Sequence, residues 1–482
     1  MSSDHSTLRK LIYVFVSKGI KGVSGLLVAW LLAEKYGAYG SGLFFIAYSF
    51  AFICANFAQL GIGNACLSFI PQVREQESKD ISSLWTFSQV VVGGFSFLFS
   101  ATVMFFAKPV AELVFKDVSK WAYVFWAAPI IFAWSLTRIN IMVRQSMGDM
   151  SGITVLENLV HPLGMMVLVG LAFVADLSVL NFLIAVTALY VVVFVYALLS
   201  TRHDYALKLS LKLRSHITVR EIVLFSIPLL VIAFSQTSLI WINTLILGAV
   251  GAVADAAVFV AAMKIAFSIS ILLYTFNSVY APQISAAHAR NDMQAIPALY
   301  RDATHALTFF SFILLVGVAA YADLAMGFFG AEYEAGTGCL LWMLAGQLSN
   351  CYVGPVGYML ILSGKSKLEV FNTSVGLVLN AGLCVVLYNF FGVSGAGAAF
   401  CLSSVIINLF RYFQCRKFFG VIWFDITQRL FISLQLFIIA AYLLLTSYGI
   451  NRELLIIVLL SAYLLLNYRK VWSLVETLRT QH

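Results

Sequence analysis

Apolar residues fill this chain in runs of twenty or more, separated by short polar segments, from Leu11 almost to the end. A helix that crosses a bilayer needs about 20 such residues, and the count of runs predicts about fourteen crossings. They lie near 11–33, 42–66, 84–107, 121–143, 152–175, 178–200, 221–247, 252–279, 304–329, 338–363, 368–391, 393–415, 428–448 and 453–471. The fold class this predicts is all-α, a polytopic membrane protein. Met1–Lys10 is polar, and the run that begins at Leu11 is longer than the apolar core of a signal peptide, so the first run is expected to be an uncleaved helix.

Orientation follows from the charges between runs. With the N-terminus placed in the cytoplasm, 21 of the 30 Lys and Arg residues fall in inner segments or at the inner ends of runs, 5 in outer segments and 4 deeper within the runs. Cytoplasmic loops concentrate basic residues, so both termini are expected inside and the helix number even. One long inner segment, Thr201–Arg220, carries five basic residues. It reads as a linker, 201–220, between a first lobe at 1–200 (helices 1–6) and a second at 221–415 (helices 7–12). Residues 416–482 then hold helices 13 and 14. Gly37–Ala47 aligns with Gly251–Ala261 at a constant offset, each leading from an outer loop into the second helix of its half. That suggests two pseudo-symmetric lobes related by an axis along the membrane normal.

Composition agrees. Of 482 residues 61% are hydrophobic and 11% charged, with a mean hydropathy of +0.92. A soluble domain carries about 25% charged residues. The net charge of +8 is spent on topology and does not indicate nucleic acid. Seven cysteines fall within or at the ends of apolar runs without a CxxC pair, which reads as small buried side chains. No cofactor or metal site is expected. Gly364-Lys365-Ser366 resembles the end of a P-loop, but Met359 stands where the earlier glycine is required.

Four cations break the apolar runs. Lys264 is the only charge between Ala256 and Leu273, and a cation at the centre of a membrane helix costs roughly 2.5–3.5 kcal/mol. Lys18 and Lys21 lie three apart on one face of the first run, with Gly25 four residues further on, and Arg138 lies in the fourth run. Either these side chains snorkel to an interface, or they form a cationic cavity for an anion that enters the membrane. Glu157, near the start of the fifth run, is the candidate partner for one of them, or a coupling site for a proton or sodium. His161 reads as a structural histidine or a proton relay, and Pro162 as a kink. Asn140, Gln236, Asn243, Asn277, Gln347, Asn350, Asn380 and Asn408 suit sugar hydroxyls or hydrogen bonds between helices.

Several stretches carry a family resemblance: Gly42-Leu43-Phe44-Phe45 with Leu60-Gly61-Ile62-Gly63-Asn64-Ala65, Ala281-Pro282-Gln283-Ile284, Phe329-Gly330-Ala331-Glu332-Tyr333, and Gly392-Val393-Ser394-Gly395-Ala396-Gly397. In their order and spacing the chain resembles the polysaccharide transport family of the multidrug/oligosaccharidyl-lipid/polysaccharide (MOP) exporter superfamily. The resemblance implies two six-helix lobes plus two C-terminal helices. It also implies a flippase, not an enzyme, in a bacterial inner membrane. Its substrate would be undecaprenyl-diphosphate-linked oligosaccharide, an O-antigen or exopolysaccharide repeat unit. Expected partners are the lipid-linked oligosaccharide, membrane lipids, a coupling proton or sodium ion, and polysaccharide polymerase machinery. The family has no universal catalytic motif, so no site residue is carried over. The rival readings are an ion-coupled multidrug antiporter, which would need acidic cavity residues, and a polysaccharide polymerase or ligase, which would need a large outer loop.

Overall fold

A bilayer offers no water to backbone N–H and C=O groups, so a spanning chain must close its hydrogen bonds within helices. The computed structural model does this in the apolar runs it describes. It describes residues 2–74, 78–149, 152–210, 218–290, 292–423, 425–448 and 452–480, and some side chains within these ranges, that of Lys18 among them, lie outside the description. Contacts group the chain into two units. One is Met1–Lys264 with Phe328–Gly336 and Leu377–Val386; the other is Ile265–Gly327, Thr337–Gly376 and Leu387–His482. This grouping does not follow the sequence halves, because residues 221–264 join the first unit.

The first unit contains α1 (Ser2–Ala58), α2 (Ile62–Arg74), α3 (Ser78–Phe105), α4 (Ala107–Phe115) and α5 (Trp121–Ser146). A π-helical segment, Gly152–Val160, leads directly into α6 (His161–Val174). α7 (Val179–Asp204), α8 (Val219–Ala249) and α9 (Val253–Ala266) complete it. α1 breaks at Gly37, whose backbone (φ 65°, ψ −174°) glycine adopts without steric cost. A break exposes N–H groups at the start of the following helix. Glu332 meets one of them, its carboxylate accepting from Ala38 N at 2.7 Å. Gly251, the residue aligned with Gly37, also has positive φ, at 83°. Beyond the break α1 lies so close to the start of α9 that a Cβ at Gly42 would collide with the Val253 carbonyl oxygen.

The second unit contains α10 (Ser270–Ala289), α11 (Ala295–Ala320), α12 (Ala322–Gly327), α13 (Thr337–Val353) and α14 (Val356–Leu362). It also holds most of α15 (Ser366–Phe419), with α16 (Ile426–Ser447) and α17 (Arg452–Thr480). The last two helices are fastened to α11 by a buried amide. Gln435 Nε2 donates to Tyr463 Oη at 2.7 Å and to Thr308 O at 3.2 Å, while Gln435 Oε1 accepts from Tyr352. The Tyr463 ring stacks on Phe309 at 5.1 Å between centroids.

Among the described residues, nine helices are long and apolar enough to cross a membrane, or ten when the bent pair Val253–Ala266 and Ser270–Asn277 counts as one span. This is fewer than the fourteen apolar runs, for physical reasons. α1 and α15 each hold two runs, as two helices that follow one another across a kink, at Gly37 and Gly392. The run at 338–363 is divided at Gly354-Pro355 into α13 and α14. The apolar part of α17, Glu453–Asn467, is short. Six of the seven cysteines are buried, Cys54 being partly so.

Candidate functional site

Pro162 has no N–H, and its ring crowds the carbonyl four residues back. The chain before it, Gly152–Val160, takes the wider π-helical turn, a distortion that recurs at functional sites. This segment turns Glu157 and Asn158 toward the first half of α1. Asn158 Nδ2 donates to Ser17 Oγ at 3.1 Å. One turn along α1, Lys21 Nζ donates to Glu157 Oε1 at 2.8 Å. The other carboxylate oxygen accepts from Arg138 Nη1 on α5. The sequence suggested one cation for Glu157; the fold supplies two, from different helices. The Lys21 side chain is 46% exposed, Arg138 21% and Glu157 19%, so the triad is reachable.

Lys264 lies elsewhere in its helix than the apolar run implied. The expected continuous helix over 252–279 bends by 46° after Ala266, so Lys264 stands in the last turn of α9. Over this bend Ser268 N and Ser270 N take the Ile265 and Phe267 carbonyls in three-residue turns, at 3.1 and 3.0 Å. The C-terminal end of a helix carries partial negative charge and stabilises a cation, which explains how an ammonium is tolerated among apolar residues. The Lys264 ammonium lies 5.6 Å from the centroid of the Trp241 ring on α8, in a cation–π contact. On its other side is Gly25 of α1, where an added Cβ would stand 3.5 Å from Nζ. Gly25 is one helical turn from Lys21. Among the described residues Lys264 has neither an ion pair nor a hydrogen bond. The fourth expected cation, Lys18, is on α1, but its side chain lies outside the described residues.

An aromatic wall joins these groups. Trp241 packs against Tyr48 (5.8 Å) and Phe52 (6.4 Å), and Phe52 against Trp134 (5.1 Å). Trp134 in turn lies 6.0 Å from the Arg138 guanidinium carbon. Tyr48 and Tyr190 share a hydroxyl hydrogen bond of 2.7 Å, and His161 stacks on Tyr190 at 4.5 Å. Both His161 ring nitrogens are buried without a hydrogen-bond partner among the described residues. Lys21 and Arg138 therefore meet on one carboxylate, and Lys264 lies beside Gly25, one turn of α1 from Lys21, a formal +3 and −1 in all. Such a group can hold an anion of two or more charges.

The amides are spent mainly on holding helices together. Asn140 Oδ1 accepts from Trp85 Nε1 (3.1 Å) and Gln89 Nε2 (3.2 Å), and Asn243 donates to Asn380 (3.3 Å). In the second unit a chain of hydrogen bonds runs from Ser270 through Gln347 and Asn350 to Asn408. It ends at an ion pair that sequence reasoning missed. Glu369, 1% exposed, receives Arg411 through both carboxylate oxygens, with Nε to Oε2 at 3.0 Å. Arg411 lies near the inner end of its run, where a basic residue reads as part of the adjoining loop. The available signal was Glu369 itself, a lone acid on a helix of apolar residues.

The comparisons with known proteins agree with this architecture. A structure of the lipid II flippase MurJ in an inward closed conformation shares 15% identity, with a TM-score of 0.69 over 95% of this chain and 99% of that one. An inward-facing multidrug resistance MATE family transporter of the MOP superfamily shares 14% identity, with a TM-score of 0.62 over 84% and 94%. A MOP superfamily transporter from Pyrococcus furiosus, whose binding pocket is described as having reverse polarity, shares 14%, with a TM-score of 0.58 over 86% and 95%. No curated protein sequence matches the chain. The fold is thus that of MOP superfamily transporters. A family profile, described as polysaccharide biosynthesis protein, matches residues 27–335; the chain belongs to the polysaccharide biosynthesis protein family.

Proposed function

We propose that the chain is a flippase that carries undecaprenyl-diphosphate-linked oligosaccharide, an O-antigen or exopolysaccharide repeat unit, from the cytoplasmic to the periplasmic leaflet of a bacterial inner membrane. The observation that carries this reading is the convergence of Lys21, Arg138 and Lys264 from three helices in an apolar region. A cationic drug would meet repulsion there, since Glu157 is already held by two cations. Family membership in polysaccharide biosynthesis and likeness in fold to a lipid II flippase favour the same class of substrate. The diphosphate binds the cations, the sugars face polar groups, and the acyl chain stays in lipid. With the cytoplasm negative inside, each negative charge moved outward gains about 2.3 kcal/mol per 100 mV. The reading includes fourteen spans, both termini cytoplasmic, lobes at 1–200 and 221–415 working by alternating access, and Lys18 as a further cation of the cavity. Glu157 is the residue through which a proton or sodium ion would act.

The test is a reconstituted assay. Proteoliposomes containing the chain should flip a fluorescent polyprenyl-diphosphate disaccharide, and the Arg138→Ala/Lys264→Ala protein should not. A neutral glycolipid with the same sugars should stay in its leaflet. Equal movement of the neutral lipid, or full activity of the double variant, would remove the anion from the mechanism.

A further inference from the structure

Two of the three cations are already engaged with an anion. Glu157 presents one oxygen to Lys21 at 2.8 Å and the other to Arg138. We propose that Glu157 is a resident counter-anion: its carboxylate occupies the place of the substrate's diphosphate between Lys21 and Arg138, and the diphosphate displaces it. The inference rests on the flippase reading above and adds how the site takes up and releases its ligand.

The geometry supports exchange over simple neutralisation. A carboxylate that bridges two donors with separate oxygens makes the contacts a phosphoryl group would make with two of its own. Lys264, by contrast, is not paired with an acid among the described residues, and its ammonium rests against the bare backbone of Gly25. It is the cation available to an arriving diphosphate. Gly25 lies one turn of α1 from Lys21, about 6 Å along the axis, so an anion seated on Lys264 is next to the Lys21 ammonium. Lys21 is also the most exposed of the triad, on a flexible stem. It can turn from Glu157 to the phosphate while the Arg138 guanidinium follows.

The displaced carboxylate has somewhere to go. His161 is four residues further along and has two buried ring nitrogens without partners among the described residues. The same carboxylate aids release. A carrier's site must bind well enough to load and weakly enough to unload. Three cations with no internal competitor would retain a diphosphate, whereas a tethered carboxylate competes for two of them at every cycle.

The test uses the full chain in nanodiscs at low salt, with inorganic pyrophosphate as the probe and calorimetry as the readout. Glu157→Gln should bind pyrophosphate about tenfold more tightly than the wild type, a coupling common for contacting charged groups. Its flipping turnover should fall, because release slows. The gain should largely vanish in a Lys21→Met background. Glu157→Asp, too short to bridge both cations, should show a smaller gain and covers the case in which Glu157→Gln does not fold. Unchanged or weaker binding by folded Glu157→Gln and Glu157→Asp would overturn the counter-anion, as would a gain that persists without Lys21. Failure of the flippase reading looks different: the wild type would not bind pyrophosphate, or Lys264→Ala would bind it as well as the wild type.

Discussion

The Lys264 ammonium lies against the backbone of Gly25, where a Cβ would be 3.5 Å from Nζ. That distance is ordinary van der Waals contact, so one methyl group fits and a larger side chain does not. Gly25→Ala should therefore export glycan at near wild-type levels and gain some helix stability, by up to about 1 kcal/mol. Gly25→Leu should push the ammonium away and lower export about tenfold or more, at unchanged membrane abundance. Surface glycan measured beside abundance, in a strain lacking the native gene, checks both. Export by Gly25→Leu equal to that of Gly25→Ala would mean that the space beside Lys264 is not used.

Lys264 itself gives a graded series. Lys264→Ala removes a charge that costs roughly 2.5–3.5 kcal/mol to insert, so abundance should hold while export is lost. Lys264→Arg should keep part of the activity, because the charge remains and its shape changes. Lys264→Glu should be the weakest, since it places an anion where an anion must bind. The same paired measurement applies. Full export by Lys264→Ala at normal abundance would take this residue out of the substrate site.

The Glu369–Arg411 pair should behave as structure. Breaking a buried ion pair from one side leaves an uncompensated charge, at a cost of about 3–5 kcal/mol. Glu369→Ala should lower the melting temperature and yield of the purified protein. Glu369→Leu/Arg411→Met should recover most of the loss, because an apolar pair leaves no orphan charge. Both are checked by thermal unfolding in detergent. A single variant as stable as the wild type, yet unable to transport, would move the pair from scaffold to mechanism.

Topology can be tested independently of the site. The 21-to-5 distribution of basic residues predicts cytoplasmic signals from reporter fusions placed after Arg214 and at the C-terminus. A periplasmic signal from either would reject both the even helix number and the inward-facing linker.

Hydropathy alone determined that this is an all-α membrane protein, because a bilayer admits only helices or closed barrels and these runs are too continuously apolar for strands. It also picked out Lys21, Arg138, Glu157 and Lys264, since an ionisable group in an apolar run is conspicuous whatever its neighbours. What each one meets was decided by tertiary structure. Glu157 touches Lys21 and Arg138, which are 136 and 19 residues away in sequence, and helical periodicity relates positions only within one helix. The break after Ala266 lies in a run with no glycine or proline to mark it, so the sequence placed Lys264 in mid-helix and only the fold put it at a helix end. Arg411 and Glu369, 42 residues apart, meet because α15 is bent at Gly392 and its two halves face each other. Pairings of this kind depend on which helix faces come together, and composition along a single chain does not encode that.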